Sequence, residues 1–330
     1  MTQPTKSIRW GILGPGSIST KFATGVQAAE NGQLVAVGSR NEMRAIKFAK
    51  EFEIPRLYGN YTALVNDPEV DAIYIGTPHV FHKEHAILAM RAGKHVLCEK
   101  PFAINAQQAA EMIQVAEETG VFLMEAMWSR YLPTLVKTRE LIAEGAIGEV
   151  RMLNADFGFR MGSVIPEHRL FNPELGGGAL LDVGIYPLSL ASMLFGKATK
   201  VASIANVGST GVDEESAFML GYEQGQIAIC STAIQLNTPH EAQILGTEGS
   251  IHIPSPWWAS DRVVLKSGSK ETTFKLPFKG NGYTHEAEEL ANCVAAGKTQ
   301  STVMPLAESL AIMETMDALR QEWGVAYPME

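Results

Sequence analysis

Three side chains stand out for the chemistry they could do. Lys100 lies in Glu99-Lys100-Pro101, and Asp182 and Tyr186 lie four residues apart in Asp182-Val183-Gly184-Ile185-Tyr186-Pro187. A lysine can hydrogen-bond a reacting oxygen and lower the pKa of a neighbouring acid. A phenol poised beside such a lysine can give and take a proton in a carbonyl–alcohol interconversion. A spacing of four puts Asp182 and Tyr186 on one helical face, where Asp182 could orient a substrate hydroxyl. Pro187 disfavours helical geometry at Tyr186 and predicts a kink there. Taken singly, each has a plainer reading: a surface lysine in a loop, and an interface aromatic on a packed helix after the turn Gly176-Gly177-Gly178.

A second feature changes that balance. Gly14-Pro15-Gly16 follows an apolar strand and opens a helix. Gly14 permits the tight bend, Gly16 lets backbone approach a pyrophosphate, and the helix start offers free N–H groups and a positive dipole end. Ser19 stands at the third position of the pattern, small enough for close helix–strand packing. The context of strand, turn and helix makes this a dinucleotide site. At the end of the second strand the chain has Gly38-Ser39-Arg40-Asn41 and no carboxylate. A hydroxyl and a guanidinium suit a ribose 2′-phosphate, so NADP is expected, with NAD also possible.

The elements that position these groups follow from periodicity. Strands at Ser7–Leu13, Leu34–Val37, Asp71–Gly76, His95–Cys98 and Val121–Ala126 alternate with helices at Ile18–Ala29, Glu42–Glu51, Val80–Ala92 and after Asn105, which has Gln108 in capping-box position. Such alternation predicts a doubly wound parallel sheet. Later strands at Asp213–Tyr222, Gln226–Leu236 and Ile251–Ile253 are joined by short turns, which predicts an antiparallel sheet. Helices flank them at Gly184–Leu194, Thr284–Ala296 and Pro305–Trp323. The fold class expected is therefore α/β: an N-terminal Rossmann-type domain over residues 1–127, then a C-terminal α+β domain over 128–330 for substrate and assembly.

Composition excludes several other functions. Lys plus Arg is 27 against 36 for Asp plus Glu, a net charge of −9, so no nucleic-acid partner is expected. Hydrophobic residues at 46% and charged ones at 19% imply a packed core rather than disorder. Cys98, Cys230 and Cys293 make neither a disulfide framework nor a metal cluster. No signal-peptide core is seen in Met1–Arg9, and no apolar run of roughly 18 residues is read, so no membrane role and a cytoplasmic location are expected. His79, His82 and His85 would fan across about 120° of a helix and could not converge on one ion, so no metal is expected.

Gly11-Ile12-Leu13-Gly14-Pro15-Gly16, Glu99-Lys100-Pro101 and Asp182-Val183-Gly184-Ile185-Tyr186 together resemble the Gfo/Idh/MocA oxidoreductase family. Gly76-Thr77-Pro78, Ala92-Gly93-Lys94-His95-Val96 and Gly246-Thr247-Glu248-Gly249 extend the resemblance over nearly the whole chain. Many members carry His where this chain has Tyr186. The Tyr form, with Met124-Glu125-Ala126-Met127-Trp128, is similar to the dimeric dihydrodiol dehydrogenases and NADP-dependent D-xylose dehydrogenases.

The resemblance implies an NADP-linked dehydrogenase acting on a carbinol or carbonyl carbon of a sugar, cyclic polyol or trans-dihydrodiol. Tyr186 would be the general acid/base, Lys100 would stabilise its phenolate, and Asp182 would support the site. Gly14, Gly16, Ser17 and Ile18 would meet the pyrophosphate, and Ser39 and Arg40 the 2′-phosphate. Thr77, Pro78, His82, Glu99 and Trp128 would line the cofactor. Trp128, Arg130, Phe157, His168 and Trp258 would form the substrate wall with Asp182 and Tyr186. A large open C-terminal sheet would join copies into a homodimer or homotetramer. A redox-assisted glycosidase on the same fold and a non-catalytic dinucleotide-binding sensor are the alternatives.

Overall fold

The structure, a computed structural model, describes residues 7–330. The chain begins with β1 (Ile8–Leu13), α1 (Ser17–Gln27), β2 (Gly32–Gly38), α2 (Glu42–Glu51), β3 (Arg56–Tyr58), α3 (Tyr61–Val65), β4 (Ala72–Ile75), α4 (His82–Arg91), β5 (His95–Glu99), α5 (Ala106–Thr119) and β6 (Leu123–Ala126). The strands form one sheet in the order β3-β2-β1-β4-β5-β6, with every neighbouring pair parallel. Strand order reverses between β1 and β4, the point where open α/β sheets bind ligands at their strand ends. β1 is almost continuously apolar because both its faces are covered. Phe22 of α1 stacks on Tyr74 of β4, ring centroids 3.8 Å apart, and meets Trp10 of β1 edge-on at 5.0 Å. These three fully buried rings clamp α1 to the sheet.

The chain continues through α6 (Pro133–Ala143), β7 (Val150–Gly158), α7 (Ile185–Phe195), β8 (Lys200–Val207), β9 (Asp213–Gly221), β10 (Ile227–Ala233), β11 (Ala242–Gly246), β12 (Gly249–Ile253), β13 (Arg262–Ser267), β14 (Lys270–Lys275), α8 (Thr284–Ala295) and α9 (Leu306–Trp323). A second sheet has the order β14-β13-β12-β11-β7-β10-β9-β8. Only its central β7–β10 pair is parallel. Its inner face buries Leu153, Phe218, Leu220, Ala228, Cys230, Ile244 and Ile251. α7 lies against β7 and β10. Ile204, Met219, Ile227 and Ile229 are exposed, and strand alternation puts them on the other face.

Two compact units result. One holds residues up to Ala103, Gln107–Tyr131 and Lys279–Ser309, and the other Ile104–Ala106, Leu132–Phe278 and Leu310–Glu330. The division differs from a cut at residue 127 in that Lys279–Ser309 returns to the first unit. The reason is local: the Thr284 hydroxyl donates to Gly25 O of α1 at 2.9 Å, seating α8 on α1.

Several strands have no clear signal in the sequence. β7 is half-buried along most of its length, which blurs the alternation. β14 is an edge strand with a polar face, the composition that resists edge-to-edge association, while β8 at the other edge mixes Lys200 and Asn206 with exposed Ile204 and Val207. Pro173–Phe195 corrects the expectation that no long apolar run exists. Its mean hydropathy of 1.5 is enough to cross a membrane by composition, but 83% of its best window is buried inside the protein. The run is apolar because it fills the core against the second sheet.

Asp213 anchors the start of that helical run. Its Oδ2 accepts the Leu180 N–H at 2.7 Å, while Thr232 donates to Ala179 O and Tyr327 to Gly177 O. Burial pushes the Asp213 carboxyl up to about 7, against the pull of its backbone hydrogen bonds. The folded chain therefore holds a proton there that the unfolded chain releases near pH 4. Folding takes up that proton between about pH 4 and pH 7, so this group makes stability fall as pH rises through the window. Asp213→Asn keeps an acceptor for Leu180. Thermal unfolding as a function of pH is expected to lose up to about 1.4 kcal/mol per pH unit of negative slope across the window.

Candidate active site

The turn after β1 is shaped for a ligand. Gly14 has φ +89°, and a Cβ there would lie 2.6 Å from Thr77 Cγ2, so no other residue fits without strain. Gly16 is different. A Cβ on it would meet nothing closer than Gly76 O at 3.8 Å. The protein itself leaves room for a side chain, and a glycine here keeps that room for something else. α1 starts at this point with no side-chain cap and no acidic residue in its first turn. Uncapped N–H groups and a positive dipole end form an anion cradle. Gly16 and Ser17 are exposed and Ile18 is half-buried, while Ser19 is buried and donates to Gly14 O at 2.7 Å. A pyrophosphate fits this cradle.

At the end of β2, Ser39 is buried and its hydroxyl accepts the Asn41 N–H at 3.1 Å. The Arg40 side chain is exposed, its guanidinium 5.1 Å from the Phe81 ring centroid. The cation is thus held at the strand end by an aromatic face.

His82 does not line the cofactor cradle as expected. It is fully buried, with Nδ1 2.8 Å from Pro101 O and Nε2 2.9 Å from Thr77 O. It ties the loop after β4 to the loop after β5, which carries Lys100. Burial lowers its pKa, while the two carbonyl oxygens favour the protonated ring. His85 pairs with the Thr77 hydroxyl at 3.0 Å, and burial, then His82 and Arg40, bring it down to about 4. The three histidines form a bracing ladder. Among the described residues, no group of three His, Cys, Asp or Glu side chains is placed to hold a metal ion. Pro78 is exposed where this ladder begins.

Glu99 is turned into the core. Its Oε1 accepts the Tyr74 hydroxyl at 2.5 Å and its Oε2 accepts the Lys100 N–H at 3.1 Å. Burial raises its pKa, opposed first by the charge of Lys100. Glu286 of α8 is fully buried with no hydrogen bond to either oxygen, and burial followed by repulsion from Glu99 raises its pKa strongly. Both carboxyls are therefore pushed up, Glu286 the more strongly, because the Lys100 charge and the hydrogen bonds from Tyr74 and the Lys100 N–H favour the ionised form at Glu99 alone. Trp128 stacks on Tyr283 at 4.7 Å. Arg130 corrects the substrate-wall expectation: its side chain is 2% exposed and its guanidinium is bound to Glu308 at 2.5 Å and Val303 O at 3.2 Å. It is a structural cation inside the first unit.

The second unit carries Tyr186 and Asp182. The kink expected at Tyr186 is not found: Tyr186 and Pro187 lie in the regular first turn of α7, where a missing N–H costs least, and the irregularity is a π-helical turn over Leu180–Gly184 that precedes it. The Asp182 carboxylate pairs with Arg169, Oδ1 to Nη1 at 2.7 Å. Tyr186 is buried among rings: Phe157 at 5.1 Å and Trp258 at 6.2 Å. Phe157 and Trp258 stack at 3.4 Å with 9° between planes. His168 does not join them. Its Nδ1 accepts the Leu170 N–H and its ring faces Phe171. The histidine that stands with these rings is His240, 4.8 Å from Trp258 and 5.6 Å from Phe157. Arg169, His240, Tyr283 and Glu286 were not foreseen. Each depends on a partner far along the chain or in a loop, so no local spacing marks it.

Comparison with known proteins agrees with this geometry. A family model described as "Oxidoreductase family, NAD-binding Rossmann fold" matches residues 8–127, and a "GFO/IDH/MocA C-terminal domain" matches residues 135–252. Trans-1,2-dihydrobenzene-1,2-diol dehydrogenase of Danio rerio is 37% identical over 98% of this chain and 99% of its own length. The Homo sapiens protein of the same name is 36% identical with the same coverage. Among solved structures, an aldose-aldose oxidoreductase from Caulobacter crescentus complexed with glycerol superposes with TM-score 0.88 at 25% identity, covering 96% of this chain and 97% of that one. A 3-ketoreductase from Actinomadura kijaniata, in complex with NADP and TDP-benzene, superposes with TM-score 0.85 at 26% identity, covering 96% and 98%.

The two glycines of the turn make opposite predictions. Gly14→Ala is expected to lower stability by about 1–3 kcal/mol in denaturant unfolding, through its positive φ and the Thr77 contact. Gly16→Val is expected to leave the unfolding midpoint unchanged. It should weaken nucleotide binding tenfold or more, read by titration with NADP.

Proposed function

Because the chain belongs to the GFO/IDH/MocA oxidoreductase family, we propose that it is an NADP-dependent dehydrogenase acting on a carbinol carbon of a vicinal diol, cyclic polyol or sugar. The observation that carries the NADP reading is the end of β2, where Arg40 stands and no carboxylate does. Names of similar proteins support the substrate class: one is a trans-dihydrobenzenediol dehydrogenase, another an aldose-aldose oxidoreductase and a third a 3-ketoreductase.

Each residue then has a role. The first-turn N–H groups of α1 hold the pyrophosphate over Gly16. Arg40 and Ser39 bind the 2′-phosphate. Bound there, the nicotinamide supplies a hydride acceptor and donor. Tyr186 takes the hydroxyl proton of the substrate at its phenol oxygen and returns it in the reverse direction. Lys100 supplies positive charge at the end of β5, where Glu99 accepts its backbone N–H from the core. Asp182, braced by Arg169, orients a substrate hydroxyl. The stacked Phe157 and Trp258 give an apolar wall to one face of a ring-shaped substrate.

The outer face of the second sheet suits a second copy of the chain. Ile204 is 80% exposed and Met219 51%, with Ile229 directly opposite Met219 and Ile227 on the same face. A homo-oligomer through this face follows, with dimer or tetramer set by its symmetry. The three cysteines are buried free thiols, which suits a reducing cytoplasm.

Formation of reduced nicotinamide with a panel of diols and aldoses tests the reading. Tyr186→Phe is expected to lower kcat by about 10²–10⁴. Arg40→Ala is expected to raise KM for NADP by about 10-fold or more, with little change for NAD. A Tyr186→Phe enzyme that turns over normally would refute the proton role. Product release without net cofactor reduction would indicate a glycosidase, and cofactor binding with no turnover a sensor. Ile204→Glu is expected to reduce the mass measured by light scattering from oligomer to monomer.

A further inference from the structure

His240 occupies a backbone conformation that a residue with a Cβ rarely adopts. Its φ is 64°, one of two such non-glycine residues among those described. Strain of this kind persists only where surrounding bonds over-determine it, and it collects at binding sites. The bonds are visible. The His240 N–H donates to Asp156 Oδ2 at 2.6 Å, and the next N–H, of Glu241, donates to Oδ1 at 3.2 Å. The His240 carbonyl accepts the Trp257 N–H at 3.0 Å. The Trp257 indole N–H in turn donates to Asp156 O at 2.8 Å. Asp156 therefore fixes both the bend at His240 and the segment that carries Trp258.

The ring is fixed as well. Nε2 of His240 donates to Gly158 O at the end of β7. A carbonyl only accepts, so in the neutral ring the proton sits on Nε2 and Nδ1 is an acceptor. Nδ1 has no hydrogen-bond partner among the described residues. The ring edge abuts Trp258 at 4.8 Å and 65°, and Phe157 at 5.6 Å and 68°. Phe157 lies 5.1 Å from Tyr186. A strained, half-buried imidazole thus stands one ring away from the proton-transferring phenol, with an acceptor atom to spare.

We propose that His240 is a specificity-determining residue of this enzyme: its ring edge fixes the Trp258–Phe157 pair beside Tyr186, and Nδ1 accepts a hydrogen bond from a second hydroxyl of the substrate. The inference rests on the dehydrogenase reading of Tyr186. It makes a diol or polyol, rather than a simple alcohol, the preferred class of substrate.

The test compares trans-1,2-cyclohexanediol with cyclohexanol in NADP-linked oxidation by wild type, His240→Gly and His240→Asn. Glycine relaxes the positive φ while removing the ring, so a purely structural histidine would leave selectivity untouched. Wild type is expected to favour the diol in kcat/KM by tenfold or more. In His240→Gly that preference should fall to within about twofold, through KM, with Tm not lowered and the pH profile of kcat unchanged. Asn tolerates the same backbone and keeps an acceptor, so it should recover part of the preference. Preference unchanged in His240→Gly, or lost only together with Tm and kcat, overturns the proposal.

If wild type reduces no NADP with either compound, the dehydrogenase reading fails. His240 is then judged by tryptophan fluorescence titrated with the diol. Half-saturation at least tenfold lower in wild type than in His240→Gly supports the site. Equal quenching, or none in either protein, refutes it.

Discussion

The bare start of α1 is the constraint on which the nucleotide unit depends. A helix that begins directly after a central strand has unpaired N–H groups, and most helices cap them with a side chain. Here no side chain caps them and the first turn carries no acidic residue. Keeping that end open requires Gly14 in a left-handed bend, a small Ser19 beneath, and Thr77 close by. It also requires α1 to be held elsewhere. The Phe22–Tyr74 stack and the Thr284–Gly25 bond hold it, one from the sheet side and one from α8.

The same economy recurs around Lys100. His82 joins its loop to that of Thr77, and Glu99 reaches inward to Tyr74. Burial and mutual repulsion push the Glu286 carboxyl up strongly, and the hydrogen bonds that Glu99 has and Glu286 lacks set the two apart. In the second unit a comparable arrangement holds Tyr186. Asp213 anchors the π turn from one side, Arg169 pins Asp182, and Asp156 sets His240 and the Trp257–Trp258 segment. Buried or half-buried acids do most of the positioning in this protein, and few of them face a reacting atom.

Legibility in the sequence varied with how local the signal was. The first sheet could be read almost strand by strand, because short buried strands alternate with amphipathic helices. The glycine turn, Arg40, Lys100 and Tyr186 stand out in the sequence because the chemistry proposed for them is suggested by neighbours in sequence. The second sheet was read only in part. β7, β8, β11, β13 and β14 are half-exposed or polar, so period-2 alternation fades in them. Arg130 and His168 were assigned to the substrate wall from residue type alone. One is locked to Glu308 and the other faces Phe171.

The sequence by itself determined the glycine turn and the family, since each rests on a few adjacent residues with one chemical use. Tertiary structure alone decided which histidine packs on the Phe157–Trp258 pair, which core carboxyl is left without a hydrogen bond, and that residues 279–309 return to the nucleotide unit. Those outcomes depend on burial and on partners as distant as 261 residues, as in Asn31 and Asn292. A one-dimensional pattern carries no record of such distances.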